Sequence, residues 1–232
     1  MAKPARPYRF RPLLRLAGTV IVLMILGMVA ALADLVHDIN LLGLFNEAVD
    51  GDGSAIRALD RAAETALALK YANGAILFVT AVFFLVWVYR AHADVRALGF
   101  GELKFTPGWA VGWWFIPFFN LVQPARAMAE LYRIAEVRKP SAGRTHIRIR
   151  PVLAWWLLLL VSSCATRAGV AGEPADPVEP VRQMFVFWIF GNILYLAAAM
   201  LAMWLVRRIT DGIESAKAAA DRAEREAARG RA

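Results

Sequence analysis

Four uncharged apolar runs at or near the length of a membrane crossing divide this chain of 232 residues: 16–33, 71–89, 151–166 and 183–206. They hold 18, 19, 16 and 24 residues. About 20 residues of helix cross a bilayer, with tilt and snorkelling covering the spread. The third run is short, but Arg150 and Arg167 at its ends can snorkel to the two interfaces. Mean hydropathy is +0.48 while charged residues make up 20% of the chain, so charge is confined to blocks between the runs. The pattern predicts an all-α integral membrane four-helix bundle, with spans at 16–36, 71–90, 151–167 and 183–206.

A fifth uncharged block, 105–125, does not read as a span. It carries Pro107, Pro117 and Pro124, Gly108 and Gly112, and the tryptophans Trp109, Trp113 and Trp114. Three prolines argue against one continuous helix. Asn120 and Gln123 would need partners in hydrocarbon. Crossing would also carry seven Lys and Arg of 126–150 to the wrong side. A Trp-rich re-entrant or interfacial segment is expected, shielded by the other helices, since irregular backbone at membrane depth needs a protein wall or a wet cavity.

Charge then sets the orientation. With four spans, 22 of the 27 Lys and Arg fall on one side, in 1–15, 90–104, 126–150 and 207–232. The positive-inside rule places that side, and both termini, in the cytoplasm. The chain therefore divides into a basic cytoplasmic tail (1–15), a membrane domain (16–210) and a charged, alanine-rich helical tail (211–232). The inner surplus of positive charge should hold anionic lipid headgroups. A nucleic-acid patch would be flanked by aromatics, and the basic loop 138–150 has none. No lipidation motif opens the chain. Ala31-Leu32-Ala33 has the form of a signal-peptidase site, but the run before it exceeds a usual signal core, so the first helix is expected to stay.

Local patterns refine the picture. Asp34, His37 and Asp38 share one helical face, and a polar helix end at the outer interface is expected there rather than a metal site. Ser54 is expected to cap a helix striped by Ile56, Leu59, Ala63, Ala66 and Leu67. Trp87 and Tyr89 read as interface aromatics, as do Trp155 and Trp156. Arg90 and Asp94 are spaced to pair. A cytoplasmic amphipathic helix should present Ala125, Met128, Leu131, Tyr132 and Ala135 on one face, with Arg126–Glu130 and Glu130–Arg133 pairs between. Cys164, the single cysteine, reads as a small buried hydrophobe and excludes an internal disulfide. Asn192, mid-span, should hydrogen-bond another helix. The weak stripe Ile213, Ala216, Ala220, Ala223, Ala227 leaves a homo-oligomer open.

The candidate site is a polar cluster at the inner interface: Arg90, Asp94, Asn120, Gln123, Arg126, Glu130 and Arg133, beside the three tryptophans. It is read either as a knot of ion pairs or as a pocket for an anionic headgroup. No catalytic triad order, phosphate-binding glycine loop, dinucleotide fingerprint or zinc-protease motif occurs. No cofactor or metal is expected, and no protein partner can be named.

The string PGWAVGWWFIPFFNLVQPARAMAELYR, preceded by a span ending WVYRAHADVRALG, resembles the bacterial domain-of-unknown-function family numbered 4328 over residues 72–210. The resemblance implies a multi-pass protein of a bacterial plasma (inner) membrane and no activity. Some relatives carry a zinc-ribbon or Pro-rich module ahead of the membrane part, and the short basic tail here matches neither. A non-enzymatic scaffold or regulator at the cytoplasmic face is the leading expectation. Small-solute transport or permeation is the alternative, and a membrane enzyme using Asp94, Glu130 and His92 the third.

Overall fold

The computed structural model describes residues 8–100, 103–137, 149–168 and 178–231, and these are helical without strands. Six helices follow in order: α1 (Leu14–Val49), α2 (Gly53–Ala97), α3 (Pro107–Gly112), α4 (Gln123–Val137), α5 (Arg150–Ala168) and α6 (Val178–Arg229). A 3-10 turn, Phe119–Leu121, lies between α3 and α4. Most of the segment expected as a basic loop (138–150), residues 169–177 and the first seven residues of the basic tail lie outside the described residues.

Three helices are long and apolar enough to cross a membrane: α1, α2 and α6. Each extends well past the run that predicted it. α6 continues without a break from the fourth run into the charged tail, because that stretch holds no proline and is rich in alanine. The segment after the Asp50–Gly53 turn is likewise one helix with the second run. Its start is capped by Asp52 rather than Ser54: the Asp52 carboxylate accepts the Ser54 N–H at 2.7 Å. Asp precedes Ser54 by two residues, and the first turn settles on the earlier acceptor. Ile56 and Leu67 of the expected stripe point outward, while Ala55 is buried.

The helices contribute to two compact units. Unit 1 gathers 1–21, 81–153 and 202–232. Its core is built from Leu13, Trp87, Val88, Met128, Leu131, Leu205, Ile209 and Ile213. The predicted apolar face of α4 is buried here in full, Ala125 through Ala135. It packs on protein: Tyr132 meets Trp204, and Glu136 forms a two-pronged pair with Arg208 at 2.7 and 3.0 Å. Trp87 is no interface residue. It is fully buried, stacks on Phe84 and donates its indole N–H to Thr210 at 3.1 Å. Tyr89 is exposed. The start of α1 is tied down rather than loose: Leu13 N–H donates to Glu214 at 2.6 Å, an acid at a helix N-terminus. Ile213 and Ala216 are buried inside this unit, and Ala220, Ala223 and Ala227 remain exposed.

Unit 2 gathers 22–80 and 154–201. Trp155 and Trp156 are buried against one another here rather than belted at an interface. Cys164 is exposed, one position from buried Ala165 and two from buried Ser162, so the helical turn carries it off the packed face. Gly191 lets α5 and α6 approach closely, since a Cβ there would fall 2.7 Å from a Thr166 methyl.

Candidate functional site

The block 105–125 is not one helix. Thr106 caps α3 by accepting the Trp109 N–H at 3.3 Å, with Pro107 in the first turn, where its missing N–H costs nothing. The chain then turns through Trp113–Phe118, takes one 3-10 turn and enters α4 at Gln123. Phe118 holds φ at +66°, a strained value for a residue with a side chain. That side chain is 84% exposed, and Phe115 is 72% exposed. The tryptophans divide the work. Trp114 packs edge-on against Phe84 of α2. Trp113 sits between Trp109 and Phe119, with ring centroids 4.9 and 5.0 Å away.

Two charged side chains fix where this irregular backbone begins. Arg96 donates to the carbonyls of Leu103 and Phe105 at 3.2 and 3.0 Å. Glu130 accepts the N–H groups of Lys104 and Phe105 at 2.7 and 3.3 Å. The carboxylate of Glu130 is thereby diverted from Arg126 and Arg133, the partners its helical spacing suggested. Beside the clamp lies a cavity of about 330 Å³ lined by Lys104, Phe105, Thr106, Trp109, Trp113, Gln123 and Arg126. The amide oxygen of Gln123 is buried without a hydrogen-bond partner.

The predicted cluster therefore divides. Gln123 and Arg126 share the cavity, and Glu130 stands in the clamp. Asn120 is half-buried in the 3-10 turn and Arg133 is exposed. Arg90 and Asp94 meet through a third residue rather than each other. Arg90 donates to the Arg11 carbonyl at 3.2 Å, and Asp94 accepts the Arg11 N–H at 2.9 Å. Asp94 and His92 lie past the apolar run 71–89 yet are fully buried. Burial pushes the Asp94 carboxyl up to about 6, against the pull of the Arg11 N–H and Arg90. Burial pushes His92 down to about 4, so its ring is neutral near pH 7. His92 Nδ1 donates to the Val88 carbonyl at 2.9 Å, and its bare Nε2 stands 3.8 Å from Glu130 without a hydrogen bond. Arg96, Lys104, Thr106 and the backbone of Arg11 escaped the sequence reading. Arg96 alone left a signal, a cation six residues past Arg90 on a helix that continues beyond its span.

Unit 2 holds a second polar group, which Asn192 joins instead. Asn192 donates to Asp38 at 3.1 Å, and Lys70 reaches the other oxygen of Asp38 at 3.3 Å while lying 4.4 Å over the Trp188 ring. Asn73 donates to Asp34, and His37 bonds the Ala62 carbonyl. The face Asp34–His37–Asp38 is thus distributed over separate partners from α2 and α6. The polar helix end expected there is an interhelical network. Next to it lies a cavity of about 430 Å³ whose polar lining includes Asn73, Ser162, Thr166, Arg167, Asn192 and Tyr195.

The family model described as "Domain of unknown function (DUF4328)" matches residues 51–211. That interval contains α2 to α5, the Trp-rich block and most of the apolar part of α6. No curated protein and no solved structure matches the chain.

Proposed function

The chain belongs to the DUF4328 family, a domain of unknown function, and from that premise we propose a multi-pass protein of the bacterial inner membrane that acts as a non-enzymatic scaffold or regulator at its cytoplasmic face. In this reading α5 is a fourth span, both termini are cytoplasmic, and 105–125 dips into the inner leaflet and returns. One observation carries it. A strained, charge-clamped turn presents Phe115, Phe118, Leu121 and Val122 outward, where only an apolar partner or lipid would cover them. The cations Lys104 and Arg126 line a cavity with Trp109 and Trp113 of the same segment, the arrangement of a membrane-inserted segment seated at anionic headgroups. Nothing in the clamp is arranged as a nucleophile and base. Its charged groups are bound to backbone.

Side-specific labelling tests the placement. With Cys164 replaced by Ser, single cysteines at Gly108 and at Arg133, both exposed, are expected to react with an impermeant maleimide only from the cytoplasmic side. Reaction of one from each side would mean that 105–125 crosses. Co-purification from mild detergent tests the scaffold role: a stable protein partner is expected, and catalytic turnover by the pure protein would overturn it.

A second reading, permeation of a small polar solute, is favoured by the 430 Å³ cavity of unit 2. Polar groups are costly among apolar runs and are retained where they serve a pathway or a bond. This cavity is lined by α1, α2, α5 and α6, not by 105–125 as a re-entrant pathway would require. In proteoliposomes, solute flux that falls on Asn73→Leu would favour permeation. Absence of flux in the wild type leaves the scaffold reading.

A further inference from the structure

We propose that the cavity lined by Lys104, Thr106, Trp109, Trp113, Gln123 and Arg126 binds the phosphate of an anionic glycerophospholipid headgroup or of a small phosphorylated solute. The inference deepens the reading above and rests on it for which side of the membrane supplies the ligand.

Among the described residues, the cavity wall carries two cations and no acid. Neither the Lys104 ammonium nor the Arg126 guanidinium is paired with a carboxylate among the described residues. Glu130 would be the acid to neutralise Arg126, one helical turn away. It is instead held by two backbone N–H groups at 2.7 and 3.3 Å. The clamp that fixes the loop therefore also frees the guanidinium. Two like charges lining one small cavity repel, and a bound anion removes that repulsion. An arginine fork and a lysine point charge together suit phosphate, which presents several oxygens to both. Two features extend the match beyond inorganic phosphate. Trp109 and Trp113 supply indole walls in mutual contact, the amphipathic surface that sits at headgroup depth. The buried Gln123 amide oxygen lacks a donor, and a headgroup hydroxyl is one.

The test uses the full chain purified in mild detergent and native mass spectrometry. The probes are phosphatidylglycerol, phosphatidylcholine and glycerol 3-phosphate. Wild type is expected to retain phosphatidylglycerol over phosphatidylcholine. Lys104→Ala with Arg126→Ala is expected to lower that retention about tenfold or more, since two charge-assisted contacts are lost. Arg133→Ala, on the same helix but outside the cavity, is expected to change it little. Displacement of the lipid by millimolar glycerol 3-phosphate assigns the site to small phosphates, and failure of displacement assigns it to lipid. If the double variant does not fold, Arg126→Lys and Lys104→Gln take its place, each with a severalfold loss expected. Retention equal to wild type in the folded variants overturns the proposal. The labelling at Gly108 and Arg133 reports sidedness separately, so loss of the orientation and loss of the site are distinguishable.

Discussion

Gly212→Ala is expected to destabilise the protein by about 2 kcal/mol, although alanine is the better helix former. The sign follows from a close approach in unit 1. A Cβ at 212 would lie 2.6 Å from the Ala135 Cβ, 2.7 Å from its carbonyl oxygen and 2.8 Å from its Cα. No flexible side-chain end is available to move aside, so α4 and α6 must separate. Overpacking of this kind costs about 1–3 kcal/mol, and a clash with backbone sits at the top of that range. Helix propensity returns about 1 kcal/mol. Separation would also strain the Arg208–Glu136 pair that bridges the same two helices. Gly191→Ala is the comparison: its nearest contact is a Thr166 methyl at 2.7 Å, on an exposed side chain that can change rotamer, so a smaller effect is expected. Thermal unfolding in detergent decides. A Gly212→Ala midpoint at or above wild type would mean that α4 does not pack on α6 as described.

The same contact separates what periodicity can read from what it cannot. The face of α4 was legible because Ala125, Met128, Leu131, Tyr132 and Ala135 recur at helical spacing. Its partner was not. Gly212 stands among charged and alanine residues, where a glycine looks like a weak point in a solvated tail. Nothing in one sequence says that two segments 77 positions apart touch. An amphipathic stripe has the same pattern whether lipid or a helix covers it, and here a helix does. The broken character of 105–125 was legible from its prolines, which suit a helix only in its first turn: Pro107 and Pro124 open α3 and α4, and Pro117 falls in the turn between them.

Charged residues were harder, because spacing predicts side-chain pairs and the structure spends the charges on backbone. Arg96 and Glu130 satisfy carbonyls and N–H groups of 103–105, and Asp94 and Arg90 satisfy those of Arg11. Irregular backbone that is partly buried must find hydrogen bonds somewhere. Helical spacing rules describe only the partners within one helix. The predicted seven-residue layer therefore divided according to which loop each residue could reach. Trp87 erred the same way: its position near a span end suggested an interface, while Thr210, the hydroxyl that receives its N–H, is 123 residues away.

Lys70→Met is expected to cost about 2–3 kcal/mol, and Asp38→Leu in the same background is expected to recover much of it. Asp38 is 1% exposed, and its two oxygens are divided between Lys70 and Asn192. Removing Lys70 leaves a buried carboxylate held by one neutral amide. Breaking a buried pair from one side costs about 3–5 kcal/mol. The lower figure applies because the Lys70 side chain is 38% exposed and its charge is partly screened. Replacing both partners by apolar side chains removes the uncompensated charge, and such double replacements run near neutral. A coupling of about 1–3 kcal/mol in the double-mutant cycle is therefore expected, measured by unfolding in detergent. Asn192→Leu alone should cost less, about 1–2 kcal/mol, since it removes one neutral donor. Strict additivity of Lys70→Met and Asp38→Leu would show that the two do not pair. α1 and α2 would then be joined in unit 2 through Asp34 and Asn73 instead.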